Sequence, residues 1–424
     1  MKTLLFFLFI PCVSFSQIDY RVDYYPYTNK AENELVKGDY IAAVNSYNEA
    51  FKVKGSVFAK DLYNASAAKL LQKDPEGAKK YLIKLAKKGV PAEFLEKKPI
   101  GTMFGSWWYD YKPFYQQVFE VSKEANQNEI WTKFDSLSIL QYHLEEETST
   151  FPYIINGKKV QIKVKDYDPK MFSDSLYFTN KKINYYTDTS LIKSDFKVFN
   201  DSLKVVLEEK ENEFFEILEK HGFVSEELLF AATNNSANLP SKRVKRYILN
   251  YDRNLDLIFN TQADFLRWYL MPMSFRLNMD LPRPVVKENL EIKNQILEGL
   301  KNGKILPEVA NTLQNYNVGI HRSNKVLIKV NIENRSDCDQ SGREFEVYLK
   351  NTSKVILSEE ETNNKRAEFG LCSIQNQLLK DIYIHTSNMY FMLNTDTAFE
   401  ETTVSSCETA ALVLKDAVLI KNLN

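Results

Sequence analysis

The chain has 424 residues, with 55 Lys and Arg against 56 Asp and Glu, and a formal net charge of −1. So even a balance leaves no electrostatic footprint for nucleic acid or an anionic membrane surface, which excludes both as expected partners. Glycine is scarce, at 13 residues where an average chain has about 7%, and this favours long helices over a turn-rich β architecture.

The length suggests two or three domains, each able to bury a core. The chain opens on MKTLLFFLFIPCVSFS. Lys2 gives a positive start, residues 4–10 are apolar, and Ser14 and Ser16 form a small-x-small site before Gln17. This pattern predicts a secretory signal peptide over 1–16 and export of the mature chain to the periplasm or the extracellular space. The apolar run is too short to span a bilayer. Pro11 and Ile10 before Cys12 argue against lipid attachment there. Removing Lys2 from the 55 basic residues leaves 54 against 56 acidic ones, a net charge of −2 for the mature chain. No later stretch reads as a membrane span. The most apolar one, 257–275, carries Asp264, Arg267 and Pro272. Three cysteines remain, Cys338, Cys372 and Cys407, and in an exported chain they are disulfide candidates with the pairing left open.

Residues 24–90 predict two helical hairpins. The first has helices near 26–37 and 40–53, broken at Gly38-Asp39; the second has helices near 57–72 and 76–88, broken at Asp74-Pro75 and ended by Gly89. Overlaid at an offset of 35 residues, Ala43 falls on Ala78, Tyr47 on Leu82 and Ala50 on Leu85. This arrangement resembles the tetratricopeptide repeat, a helix–turn–helix of about 34 residues. Tyr27, Ala31, Gly38, Tyr40, Ala43, Tyr47 and Ala50 carry the resemblance. Gly55 departs from the usual closing proline, and Lys73 stands where the second copy would have its turn glycine. Stacked hairpins make a concave surface lined by each first helix. The resemblance implies a groove lined by Tyr25, Thr28, Glu32, Leu35, Lys60, Tyr63, Ala67 and Leu70, suited to an extended peptide or a neighbouring protein. The competing expectation is a groove filled by the chain's own segment 91–131, because two repeats are fewer than the roughly three that stand alone.

The aromatic run WWYDYKPFYQQVF (107–119) is expected to be core that caps the last repeat. Helix continues over 132–148. Asn156-Gly157 between alternating apolar residues predicts a β-hairpin, inside an insert over about 150–200. Asn200 or Asp201 then caps a helix that Gly222 ends. Helices follow near 225–233, 241–250, 254–271 and 284–302. After about residue 320, residues 326–332, 345–349 and 354–358 alternate at period two and read as strands. The ranges 381–394 and 409–421 stay open between strand and helix. The expected fold is therefore mainly α, with a β-hairpin insert and a C-terminal α+β portion. Its units are a repeat region over 17–131, a helical domain over 132–320 and a β-containing region over 321–424.

Three capped pieces carry a second resemblance: 214–227, 300–313 with its Gly303 turn and Pro307, and 363–374 closed by Gly370-Leu371. In this order they resemble an uncharacterised bacterial domain of unknown function, found in secreted proteins behind tetratricopeptide repeats, over about 130–375. The polar signatures of that family, an Asp-Gln pair followed by Arg in the first helix and a Tyr-Gly-Thr-Gln-like run, are missing here. The first helix reads LSILQYHLEEE (137–147), and the later run NVGIHRSNKV (317–326) keeps only Gly319. If those polar residues do chemistry in relatives, this chain lacks it.

Other signals of chemistry are faint. His143, His221, His321 and His385 are scattered, with no HExxH spacing. His143 beside Glu145, Glu146 and Glu147 reads as a solvated helix end, and His221 suits a helix C-terminus. Glu359, Glu360 and Glu361 lack calcium-loop spacing, and 241–246 reads as a solvated basic face. No catalytic residue, metal site or cofactor is expected. The expectation leans towards an exported binding or scaffolding protein with a protein or peptide partner in the cell envelope. The alternative is a hydrolase-like enzyme with His321 or His385 approaching Cys372 or a carboxylate pair between the helical middle and the C-terminal region.

Overall fold

The computed structural model describes residues 18–125, 150–155, 158–163, 185–186, 216–223, 226, 290–315, 325–332, 347–351, 357–387, 390–394 and 398–420. The expected signal peptide, His143, His321, Cys338, and the helices expected near 132–148, 225–233, 241–250 and 254–271 lie outside the described residues, apart from the single position Glu226.

The N-terminal part is helical throughout. A short α1 (Tyr20–Asp23) precedes α2 (Tyr25–Val36), α3 (Tyr40–Ala50), α4 (Ala59–Leu71) and α5 (Pro75–Lys87). The expected breaks hold for local reasons. Gly38 takes φ +78, and Asp39 caps α3 by accepting from Ala42 N at 3.0 Å. Asp74 caps α5 by accepting from Gly77 N at 2.8 Å, with Pro75 in the first turn. Lys73 adopts the left-handed φ of +60 that its position demands, at a cost of about 1 kcal/mol relative to glycine. α2 packs on α3, α3 on α4 and α4 on α5. Ala31, Ala43, Ala65, Ala67, Ala68 and Ala78 are wholly buried in that core, where small side chains let the helices approach.

The aromatic run is core on one face, as expected, while Tyr109 and Phe114 are exposed on the other. α6 (Ala92–Lys97) and a 3-10 turn (Pro99–Met103) lead to α7 (Trp107–Ala125), which packs on α5. Trp108, Tyr111, Tyr115 and Phe119 recur at helical spacing and are buried. Trp108 stacks on Phe104 with centroids 4.1 Å apart, and the Tyr115 hydroxyl donates to Val90 O at 2.7 Å.

β1 (Thr150–Ile155) pairs antiparallel with β2 (Lys158–Lys163), and Ile155 faces Lys158, so only residues 156 and 157 separate the strands. That is the hairpin that Asn156-Gly157 predicted. β3 (Tyr185–Tyr186) adds a third strand. The helical run 216–221 ends at Gly222, with φ +62. α8 (Leu290–Lys301) and α9 (Pro307–Asn315) flank the Gly303 turn.

The C-terminal region holds a mixed four-stranded sheet in the order β6-β4-β5-β7. Its strands are β4 (Lys325–Ile332), β5 (Val347–Asn351), β6 (Ala398–Val404) and β7 (Val418–Ile420). β4 pairs antiparallel with β5 and parallel with β6, and β5 pairs antiparallel with β7. Two expected strands are confirmed here, and of the third, 354–358, only residues 357 and 358 are described. Ser358, the last residue of 354–358, caps α10 (Glu359–Glu368) in a capping box with Glu361, and 354–356 lie outside the described residues. In the open range 381–394 the described residues are the end of α11 (Ile374–Thr386) and, at 390–394, chain without regular secondary structure, and 409–420 is the end of α12 (Cys407–Val413) followed by β7. β4 is covered on both sides. Val326, Ile328, Val330 and Ile332 share a cluster with Ala410 of α12, while Leu327 meets Val347 and Ile382 of α11. Cys407 is disulfide-bonded, and Cys372 is free and buried.

No helix among the described residues is long and apolar enough to cross a membrane.

Candidate functional site

The sequence predicted a groove lined by the first helix of each pair, α2 and α4, and the residues at those positions are covered. Tyr25, Thr28, Glu32, Leu35, Lys60, Tyr63, Ala67 and Leu70 are all buried. The expectation of an open groove at these eight positions is thereby corrected. Segment 91–131 covers only part of it. Tyr63 bonds to the backbone of Ile100 in the 3-10 turn, and further cover comes from segments more than 200 residues further along the chain.

Each cover segment is fixed by a specific bond. The Tyr25 hydroxyl lies 3.0 Å from Leu300 O and 3.0 Å from Ile305 O, bridging the end of α8 and the turn into α9. Asn29 Nδ2 donates to Gly370 O at 2.7 Å, at the end of α10. Asn64, on α4, grips one residue of segment 390–394 twice. Its Nδ2 donates to Met392 O at 2.9 Å, and Met392 N donates to its Oδ1 at 2.7 Å. Leu35, Ala67 and Leu70 share their core with Phe391, Met392 and Leu393.

The three pieces that carry the second resemblance converge here. Ile217, Leu218 and Phe223, then Leu300, Ile305, Leu306 and Val309, then Phe369 and Leu371 form one core with Tyr20, Tyr24, Tyr25 and Phe58. Their closing glycines, Gly222, Gly303 and Gly370, all have positive φ. Gly303 does more than turn the chain, because a Cβ there would lie 2.2 Å from the Tyr20 ring.

At the centre is a buried charge network. Glu32 on α2 receives Lys60 Nζ at 2.7 Å and Lys380 Nζ of α11 in a very short contact. Lys60 also lies 3.8 Å from Glu308 of α9. Burial alone would raise the Glu32 carboxyl, but the Lys380 and Lys60 ammoniums outweigh it and hold it at about 2. Burial works against charge on Lys380, and Cys372 and Glu32 more than offset it, lifting the ammonium above the ordinary lysine value. Charge reversal at Glu32 or Lys60 therefore tests the fold and does not probe a surface groove.

Asp61 is a different case. It is 1% exposed and accepts from the Tyr24 hydroxyl at 2.7 Å, while its Oδ1 has no hydrogen-bond partner among the described residues. Burial dominates and pushes its carboxyl up to about 7. The fold thus holds a proton on Asp61 up to about pH 7, whereas the unfolded chain releases it near 3.8. The resulting stabilisation is fully present below pH 3.8 and is lost as pH rises through 7. Glu32 has the opposite sign, present above 4.5 and lost as pH falls towards 2. Urea unfolding between pH 4.5 and pH 8 is expected to show a decline on the order of 3 kcal/mol from Asp61. Asp61→Asn is expected to flatten it; an unchanged slope would remove Asp61 as the cause.

Nearby, Glu226 Oε2 accepts from Ala59 N at 2.8 Å and pairs with Lys88 Nζ at 3.2 Å. Arg366, 1% exposed, donates from Nε to Cys372 O at 2.7 Å. Sequence reasoning missed Asn29, Asp61, Asn64, Lys88, Glu226, Arg366 and Lys380. One signal was available for Asp61 and Asn64: AKDLYNASAAKLL (59–71) has apolar residues on every face, so its polar side chains must find partners inside.

The hydrolase-like pairing is not formed at its described positions. Cys372 and His385 stand beyond and near opposite ends of α11, about 20 Å apart by helical rise. Cys372 Sγ contacts Gln377 Oε1 at 3.5 Å, and the His385 ring stacks on Phe399 at 3.8 Å. No group of three or more metal-ligating side chains occurs among the described residues. Comparison with protein-family models, curated proteins and solved structures finds no match to this chain.

Proposed function

We propose that the chain is an exported binding or scaffolding protein of the cell envelope, built on two tetratricopeptide-like helix pairs. The observation that supports this most directly is the behaviour of the concave face. Its side chains bind backbone carbonyls and charged groups of remote chain, at Leu300, Ile305, Gly370, Lys380 and Met392. In this reading the repeat face is a recognition surface that first organises the protein's own C-terminal region, and the assembled body meets a protein or peptide partner.

The test is crosslinking with mass spectrometry in the native organism. The expected result is a mature N-terminus at Gln17 and recurrent crosslinks to another envelope protein. Crosslinks confined to the chain itself would remove the binding role, and an intact Met1–Ser16 leader would remove the export.

A further inference from the structure

Segment 390–394 has no regular secondary structure and packs Phe391, Met392 and Leu393 against the N-terminal helices. Asn64 holds it by the main chain alone, through the amide and carbonyl of Met392. Such a two-point bond fixes direction and register and is indifferent to the side chain. Side-chain contacts surround it: Phe391 sits 5.9 Å from the Tyr40 ring and 5.9 Å from the Tyr383 ring. Gln377 Nε2 donates to Asn394 O at 2.7 Å. The fit is incomplete at one end. Asn394 is 8% exposed and its Nδ2 is buried without a hydrogen-bond partner among the described residues. A buried donor with no acceptor weakens the internal occupant relative to a peptide that lacks it.

We propose that segment 390–394 is an exchangeable internal ligand of the repeat face, and that the vacated site takes an external extended peptide with an aromatic–Met–Leu-like apolar run. This rests on the reading of the chain as a binding protein and names its ligand class. The internal occupant lowers the apparent affinity of any external peptide by the fraction of chains in which the site is open. Loosening the occupant while leaving Asn64 in place therefore raises that affinity.

The experiment measures fluorescence anisotropy of a labelled peptide with the sequence of residues 388–396 against the full mature chain. Wild type is expected to bind weakly. Phe391→Ala/Leu393→Ala is expected to bind at least about tenfold more tightly, and adding Asn64→Ala is expected to abolish the gain. Equal binding by wild type and a folded loosened variant overturns the proposal, as does a gain that survives Asn64→Ala. A concentration-dependent dimer that excludes the peptide assigns the site to a second copy and also overturns it. If circular dichroism shows the loosened variant unfolded, hydrogen exchange of wild type decides. The Met392 amide is expected to exchange through local opening while residues 62–68 of α4 stay protected. Exchange of Met392 only through global unfolding overturns the proposal. A chain that crosslinks an envelope partner yet keeps Met392 protected fails this inference and leaves the binding role standing.

Discussion

Lys380→Met is expected to lower stability by about 3–5 kcal/mol, the cost of breaking a buried pair from one side. Lys380 and Glu32 are each 2% exposed at the side chain, and the pair joins α11 to α2 across 348 residues. Without Lys380 the Glu32 carboxylate stays buried with only Lys60 at 2.7 Å to balance it. Urea unfolding at pH 7 reads the loss. The loss is expected to shrink at low pH, where Glu32 takes a proton once its main counter-charge has gone. The double variant Glu32→Gln/Lys380→Met is expected to recover part of the stability, because no uncompensated charge remains inside, and the cycle of single and double variants gives the coupling. A loss under about 1 kcal/mol is the value of an exposed pair and would contradict the buried network.

The second large effect is expected at Gly303. Gly303→Ala places a Cβ 2.2 Å from the Tyr20 ring at a position with φ +65. Tyr20 cannot easily give way, since it is 2% exposed and its hydroxyl donates to Ser56 O at 2.8 Å. Backbone strain of about 1 kcal/mol and overpacking of about 1–3 kcal/mol add to a loss of about 2–4 kcal/mol. Gly38→Ala is the control. It has the comparable φ of +78 with nothing within 4 Å of the added Cβ, so only the backbone share is expected, about 1 kcal/mol. Thermal melts of both variants separate the two causes, and equal losses would show that the Tyr20 contact carries no weight.

These two sites share one design. Both tie the first residues of the described chain to elements near or beyond residue 300, so the N-terminal helices and the C-terminal region protect one another. Truncation at either end would expose apolar surface on the other. Tyr20, Tyr24 and Tyr25 supply three adjacent aromatics to one joint. Their rings lie within 6.0 Å of one another, and burial raises the hydroxyls of Tyr24 and Tyr25 well above the ordinary value.

Local rules carried much of this. Gly38-Asp39, Asp74-Pro75 and Gly89 placed the helix breaks, because caps and left-handed turns are decided by residues within one turn of each other. The Asn156-Gly157 pair placed the hairpin, and the aromatic stripe of α7 announced a buried face. Strand β6 escaped notice, because AFEETTV (398–404) is polar and finds its place beside β4. The eight positions expected to line a groove are all buried. Their state, covered or open, was not legible, since the cover arrives from Leu300, Gly370 and Met392 with no local signal. What the sequence by itself determined is the helices between residues 25 and 87, their ends and the apolar faces they must bury, for those depend on near neighbours. Only the tertiary structure decided that Glu32 would meet Lys380 and Asn64 would meet Met392, because a buried polar group's partner is chosen by the packing of distant segments.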